Sequence, residues 1–115
     1  MPRFVLLEHT GHPDDPAGRH YDLLLEEADA CQTWRLAEIP VAGGAAVAAL
    51  PLPPHRLAWL DIEAGEVSGG RGFARRVAAG AYEPGDGGDL TLAGRPLAGR
   101  LRLERTAAGW RATLE

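Results

Sequence analysis

Hydrophobic residues along this 115-residue chain come in short runs that alternate with polar ones and stop at glycine or proline, a rhythm of strands and turns with little helical periodicity. Arg3 to Glu8 is the first predicted strand, dominated by Phe4, Val5, Leu6 and Leu7. Thr10 to Arg19 is a loop, because Gly11, Pro13, Asp14, Asp15, Pro16 and Gly18 leave no room for regular structure. His20 to Glu26 is a second strand. Gln32 to Glu38 is a third, with Trp34 and Leu36 on one face and Arg35 and Ala37 on the other. Pro40 to Pro54, rich in Ala, Gly and Pro, is expected to be mostly loop, with a helical turn possible at Ala45 to Leu50. Leu57 to Ile62 is expected to be extended, and Ser68 to Gly72 to form a glycine-rich bend.

Beyond that bend, Phe73 to Val77 and Ala81 to Glu83 read as strands broken near Gly80. Asp86-Gly87-Gly88 is a turn, Asp89 to Ala93 a strand and Gly94-Arg95-Pro96 another turn. Ala98 to Arg105 sets Leu101 and Leu103 against Arg100, Arg102 and Glu104, one buried face and one polar. Ala107-Ala108-Gly109 turns into a last strand, Trp110 to Leu114. The expected fold is mainly β: a small closed or nearly closed antiparallel β-barrel of about eight strands with little helix. No repeat or linker divides it, so residues 1–115 are expected to form one domain.

The second strand carries chemistry. His20, Asp22, Leu24 and Glu26 share one face, and Tyr21, Leu23 and Leu25 face the core. Two-residue spacing puts the imidazole of His20 and the carboxylate of Asp22 on Cα atoms about 6 to 7 Å apart, where both reach one ion. Neutral imidazole with carboxylate suits zinc, manganese or iron; the competing reading is a solvent-facing strand with a chance ion pair. His9 closes the preceding strand and His12 lies in the next loop, so three of the four histidines crowd the same region, the fourth being His55.

Composition narrows the classes. A net charge of −4 gives no global field toward nucleic acid. All 12 basic residues are arginine, which offers a forked donor to phosphate. Arg75, Arg76, Arg100 and Arg102 could hold a strand end or form a solvated polar face. No apolar run approaches the roughly 20 residues of a membrane span, and no signal-peptide pattern follows Met1-Pro2-Arg3, so a cytoplasmic location is expected. The single cysteine, Cys31, has no disulfide partner within the chain.

Phe4-Val5-Leu6-Leu7-Glu8-His9, then His20-Tyr21-Asp22-Leu23-Leu24-Leu25-Glu26, then Thr33-Trp34, resemble the 3′-phosphoesterase domain of bacterial DNA ligase D and its small stand-alone relatives. His55 to Glu63, the glycine-rich stretch from Val67 to Tyr82-Glu83, and the closing segments from Leu90 to Arg105 extend the resemblance, in order, over nearly the whole chain. It implies a manganese-dependent site that removes a 3′-phosphate or 3′-ribonucleoside from a primer end, with a DNA-repair ligase or polymerase as partner in trans; zinc remains the other candidate ion by the donor set. Under it, His9, His20 and Asp22 match metal ligands, His55 a histidine on the scissile phosphate, and Glu26 a structural glutamate. The chain departs from the family at Leu24 (an arginine that engages phosphate), Leu7 (a glutamine), Glu38 (a lysine) and Trp59 (a tyrosine), and the loop from His9 to His20 is longer. Arg71, or Arg19, Arg75 or Arg76, is the expected replacement clamp. Three functions therefore stand: a phosphoesterase, a non-catalytic metal-binding module or DNA-repair accessory, and a barrel with a different small-molecule role, in which the acidic loop and the extra histidine, His12, bind another metal such as zinc.

Overall fold

In the computed structural model, which describes residues 2–115, nine strands make one antiparallel sheet. They are β1 (Arg3–Thr10), β2 (Arg19–Glu26), β3 (Cys31–Leu36), β4 (Val47–His55), β5 (Ala64–Glu66), β6 (Phe73–Pro84), β7 (Leu90–Arg95), β8 (Ala98–Thr106) and β9 (Gly109–Leu114). Eight of them close a barrel in the order β1-β2-β3-β4-β9-β8-β7-β6, with β6 pairing back onto β1. β1 runs along Phe73–Ala81 of β6; on the other side β7 takes Ala79–Pro84, and β5 is the extra strand on Phe73–Arg75.

The barrel interior is filled by Phe4, Leu6, Leu23, Leu25, Leu36, Leu92 and Leu101, all 2% exposed or less. The outer face of β1 and β2 is buried too. Val5, Leu7 and Leu24 pack there with Cys31, Ala74 and Leu60 in a second apolar cluster, because the chain between β4 and β6 folds back over this wall. Leu24 and Leu60, almost fully buried, each contribute roughly 1.5–3 kcal/mol. The unbroken runs Phe4-Val5-Leu6-Leu7 and Leu23-Leu24-Leu25 reflect a wall covered on both sides.

Three expectations need correction. Val47–His55 is a strand, not a loop. It pairs with β3 from Leu36 to Cys31 but with β9 only at Val47–Ala49, so Pro51, Pro53 and Pro54 lie where no second ladder needs their missing N–H. Leu57–Asp61 is a 3-10 turn rather than an extended segment. The tighter winding brings Leu57 and Leu60, three apart, onto one side against the second cluster. β6 is continuous through Gly80. Gly80 faces Gly94 across the β6–β7 ladder, where a Cβ would meet the backbone of Ala93 and Gly94, so this glycine permits close approach and does not break the strand.

Candidate metal centre

The outer face of the β1–β2 wall turns polar at one end. His9 follows Val5 and Leu7 on β1, lies directly across from His20 on β2, and sits diagonally from Asp22, which opposes Leu7. His9, His20 and Asp22 are 7%, 3% and 4% exposed. One ligating atom from each lies within 4.8 Å of the others. His9 Nδ1 is 3.3 Å from Asp22 Oδ2, and His20 Nε2 is 3.4 Å from Asp22 Oδ1. Two ligands held about 2.1 Å from a tetrahedral ion are separated by about 3.4 Å, a spacing that the two histidine contacts to Asp22 match.

Hydrogen bonds behind the rings fix which nitrogen faces inward. His9 Nε2 lies 2.6 Å from the Arg71 carbonyl oxygen, an acceptor only, so Nε2–H donates and Nδ1 carries the lone pair. His20 Nδ1 lies 2.9 Å from Asp15 Oδ2, and a carboxylate there makes Nδ1–H the donor and Nε2 the free nitrogen. In their neutral forms both histidines therefore aim lone pairs at the oxygens of Asp22. Lone pair against carboxylate is repulsive unless a cation, proton or metal, lies between them. His20 Nε2 and Asp22 Oδ1 are buried and have no hydrogen-bond partner. The cluster could hold a metal ion.

The electrostatics agree. Burial pushes His20 toward its neutral form, but the adjacent carboxylates of Asp22 and Asp15 outweigh it and hold its pKa above the ordinary value. Burial pushes Asp22 up, and the proximity and charge of His20 hold it down instead. The hydrogen bond with His20 also lowers Asp15.

Two of the trio, His9 and Asp22, reach a cleft of about 590 Å³ between this wall and the chain folded over it, and His20 stands behind them outside its lining. His9 and Asp22 line it with His12, Arg35, His55, Arg56, Trp59 and Arg71. Gly72, at φ +93, lets the bend pass so close to β1 that a Cβ would strike the Thr10 carbonyl, which is how the Arg71 carbonyl reaches His9. The Arg71 guanidinium turns back onto the carbonyl and hydroxyl of Ser68. His55 Nδ1–H donates to the Pro53 carbonyl at 3.2 Å. His12 stacks edge-on to His9, ring centres 5.4 Å apart, and its Nδ1 accepts from the Asp14 N–H. That bond puts the proton of a neutral His12 on Nε2, as a donor rather than a ligand.

Other expected residues lie elsewhere. Arg75 and Arg19 pair with Glu8, and Arg76 with Glu63; none of the three lines the cleft. Arg100 pairs with Asp89 and Arg102 with Glu104. Glu26 accepts from the Arg3 backbone N–H and pairs with its guanidinium. Leu24 is sealed in the second apolar cluster and Glu38 is exposed. Sequence reading did not assign Asp15, Arg35 and Arg56 to the site. Asp15 stood among the acidic loop residues, but nothing in its spacing marked it as the support of His20. Arg35 could be found only from the β2–β3 register, which places it opposite Asp22. No family model matches the chain, and no curated protein matches it.

Proposed function

We propose that this protein is a metal-dependent phosphoesterase, acting on a phosphate ester or nucleic-acid 3′ end in the manner of the ligase D 3′-phosphoesterases it resembles. One observation carries the reading. Arg35, Arg56 and Arg71 line the cleft above His9, His20 and Asp22, and Asp22 is the only carboxylate among the lining residues. A chain of net charge −4 thus gathers positive charge around a buried metal-ligand set, the potential that draws in an anionic ester.

His9, His20 and Asp22 would hold the ion, manganese by the resemblance and zinc by the donor set alone. Such an ion polarises a phosphoryl oxygen and lowers the pKa of a bound water. The side chains divide the remaining work. Asp15 and the Arg71 carbonyl keep the two imidazoles in their ligating tautomers. His55, with Nδ1–H committed to Pro53, offers Nε2 to a water or, once protonated, to the leaving oxygen. Trp59 and the apolar cluster beneath it limit water on one side. The setting we propose is the cytoplasm, with a repair ligase or polymerase meeting the protein in trans.

A second reading, a metal-binding module without turnover, is favoured by the departures at Leu24, Leu7, Glu38 and Trp59, and most by Leu24, a buried apolar side chain where the family engages phosphate. One experiment separates the two. Purified protein is analysed for bound metal and assayed with manganese on a 3′-phosphorylated primer and an aryl phosphodiester. Turnover that His20→Ala abolishes is expected; metal bound without turnover leaves only the second reading, and no metal binding removes both.

A further inference from the structure

Arg35 is a cation without an answer. It stands on β3 directly across from Asp22, on the same face, half-buried in the cleft wall. Opposed residues of this kind ordinarily pair. Here the oxygens of Asp22 turn to His9 and His20 instead. Among the described residues no carboxylate comes within ion-pairing distance of Arg35, and its buried Nε has no hydrogen-bond partner. Arg75, Arg76, Arg100 and Arg102, all more peripheral, are each answered by an acid. A buried N–H of a permanent cation is costly to leave unmatched.

We propose that Arg35 supplies the guanidinium that holds a phosphoryl oxygen beside the metal centre, from β3, where Leu24 on β2 cannot. The inference rests on the phosphoesterase reading for the identity of the anion. The forked donor of Arg35 matches two oxygens of a tetrahedral oxyanion. Arg71 is less suited, since its guanidinium is held by Ser68. Leu24 could not be exchanged for an arginine without opening the apolar cluster that Leu60 closes. The geometry therefore relocates the clamp one strand over, on the same face.

The test uses the full chain loaded with Mn2+ and inorganic phosphate as probe. Paramagnetic broadening of the 31P resonance reports phosphate near the ion, and calorimetry reports Mn2+ affinity separately. Arg35→Gln is expected to weaken phosphate about 10- to 100-fold, the value of charge-assisted hydrogen bonds, with Mn2+ affinity unchanged. Arg35→Lys, which keeps the charge but not the fork, is expected to lose less. If Arg35→Gln does not fold, the lysine variant decides, and wild-type phosphate binding in it overturns the proposal. Equal phosphate binding by wild type and Arg35→Gln, or no broadening in the loaded wild type, also overturns it. Arg35-dependent phosphate binding without turnover of any ester would leave this inference standing and remove the function it was built on. Turnover whose KM is unmoved by Arg35→Gln would do the reverse.

Discussion

Asp15 is not one of the three candidate metal ligands, yet Asp15→Asn is expected to loosen the metal. The perturbation is small in shape. The amide oxygen of an asparagine can still accept from His20 Nδ1–H, but the charge that fixes the imidazole and raises its basicity is gone. Asp15 is close, at 2.9 Å, and its side chain is only 10% exposed, so solvent screens the pair weakly. Loss of such a supporting carboxylate costs about 10- to 100-fold in metal affinity. The thermal consequence follows from mass action. With metal at 100 times its Kd, the wild type gains about 2.7 kcal/mol on binding. Unfolding this 115-residue chain carries an entropy of about 0.24 kcal/mol/K, so the wild-type midpoint rises by about 11 °C. At the same metal concentration the variant should rise by only about 2 to 6 °C. Differential scanning fluorimetry with and without Mn2+ reads this, and calorimetric titration gives Kd directly. Asp15→Asn with wild-type affinity and an undiminished midpoint shift would refute the support that the structure assigns to this residue.

Three further outcomes are expected. The metal-free cluster and the metal-bound one should respond oppositely to pH. The raised pKa of His20 contributes stability that is present below its unfolded value near 6.5 and is lost as pH rises through the higher folded value, while the same deprotonation opens Nε2 to metal. The Mn2+-induced midpoint shift should therefore grow from about pH 5.5 to about pH 8, and a shift that is flat across that range would contradict it. Gly72→Ala should cost about 1–3 kcal/mol in urea unfolding, because φ +93 and the Thr10 carbonyl both oppose a Cβ, and it should weaken metal binding by withdrawing the Arg71 carbonyl from His9. Leu60→Ala should cost about 2–5 kcal/mol by leaving a cavity over Leu24, measurable in the same experiment.

Much of the barrel could be read from hydrophobic alternation, because most of its strands bury side chains in the ordinary way. The failures share a cause in pairing. Pro51, Pro53 and Pro54 spoke against a strand because sequence does not say which edge of β4 lacks a partner. Gly80 looked like a break because its close neighbour, Gly94, comes from another strand. The site divides the same way. His20 and Asp22 shared a face by spacing alone, and the structure sets His9 opposite His20. The contributions of Arg35 and of the Arg71 carbonyl depend on cross-strand and loop contacts that no local pattern encodes. Leu24, conspicuous beside the family that the chain resembles, proves to be a structural member of the second core.

That doubly covered wall poses a problem of alignment. Sliding one strand past its neighbour by a single residue exchanges inside for outside, and where only one face is apolar the exchange is heavily penalised. Here Phe4 and Leu6 would trade places with Val5 and Leu7, and Leu23 and Leu25 with Leu24, with hydrophobic side chains on both surfaces before and after. Greasiness alone discriminates poorly between the two alignments. The ionisable end of the wall does discriminate, since a slip would carry His9, or His20 with Asp22, into the dry barrel interior without Asp15 or the Arg71 carbonyl to satisfy them. The residues that would grip the ion thus also act as the ratchet that sets how β1 and β2 mesh.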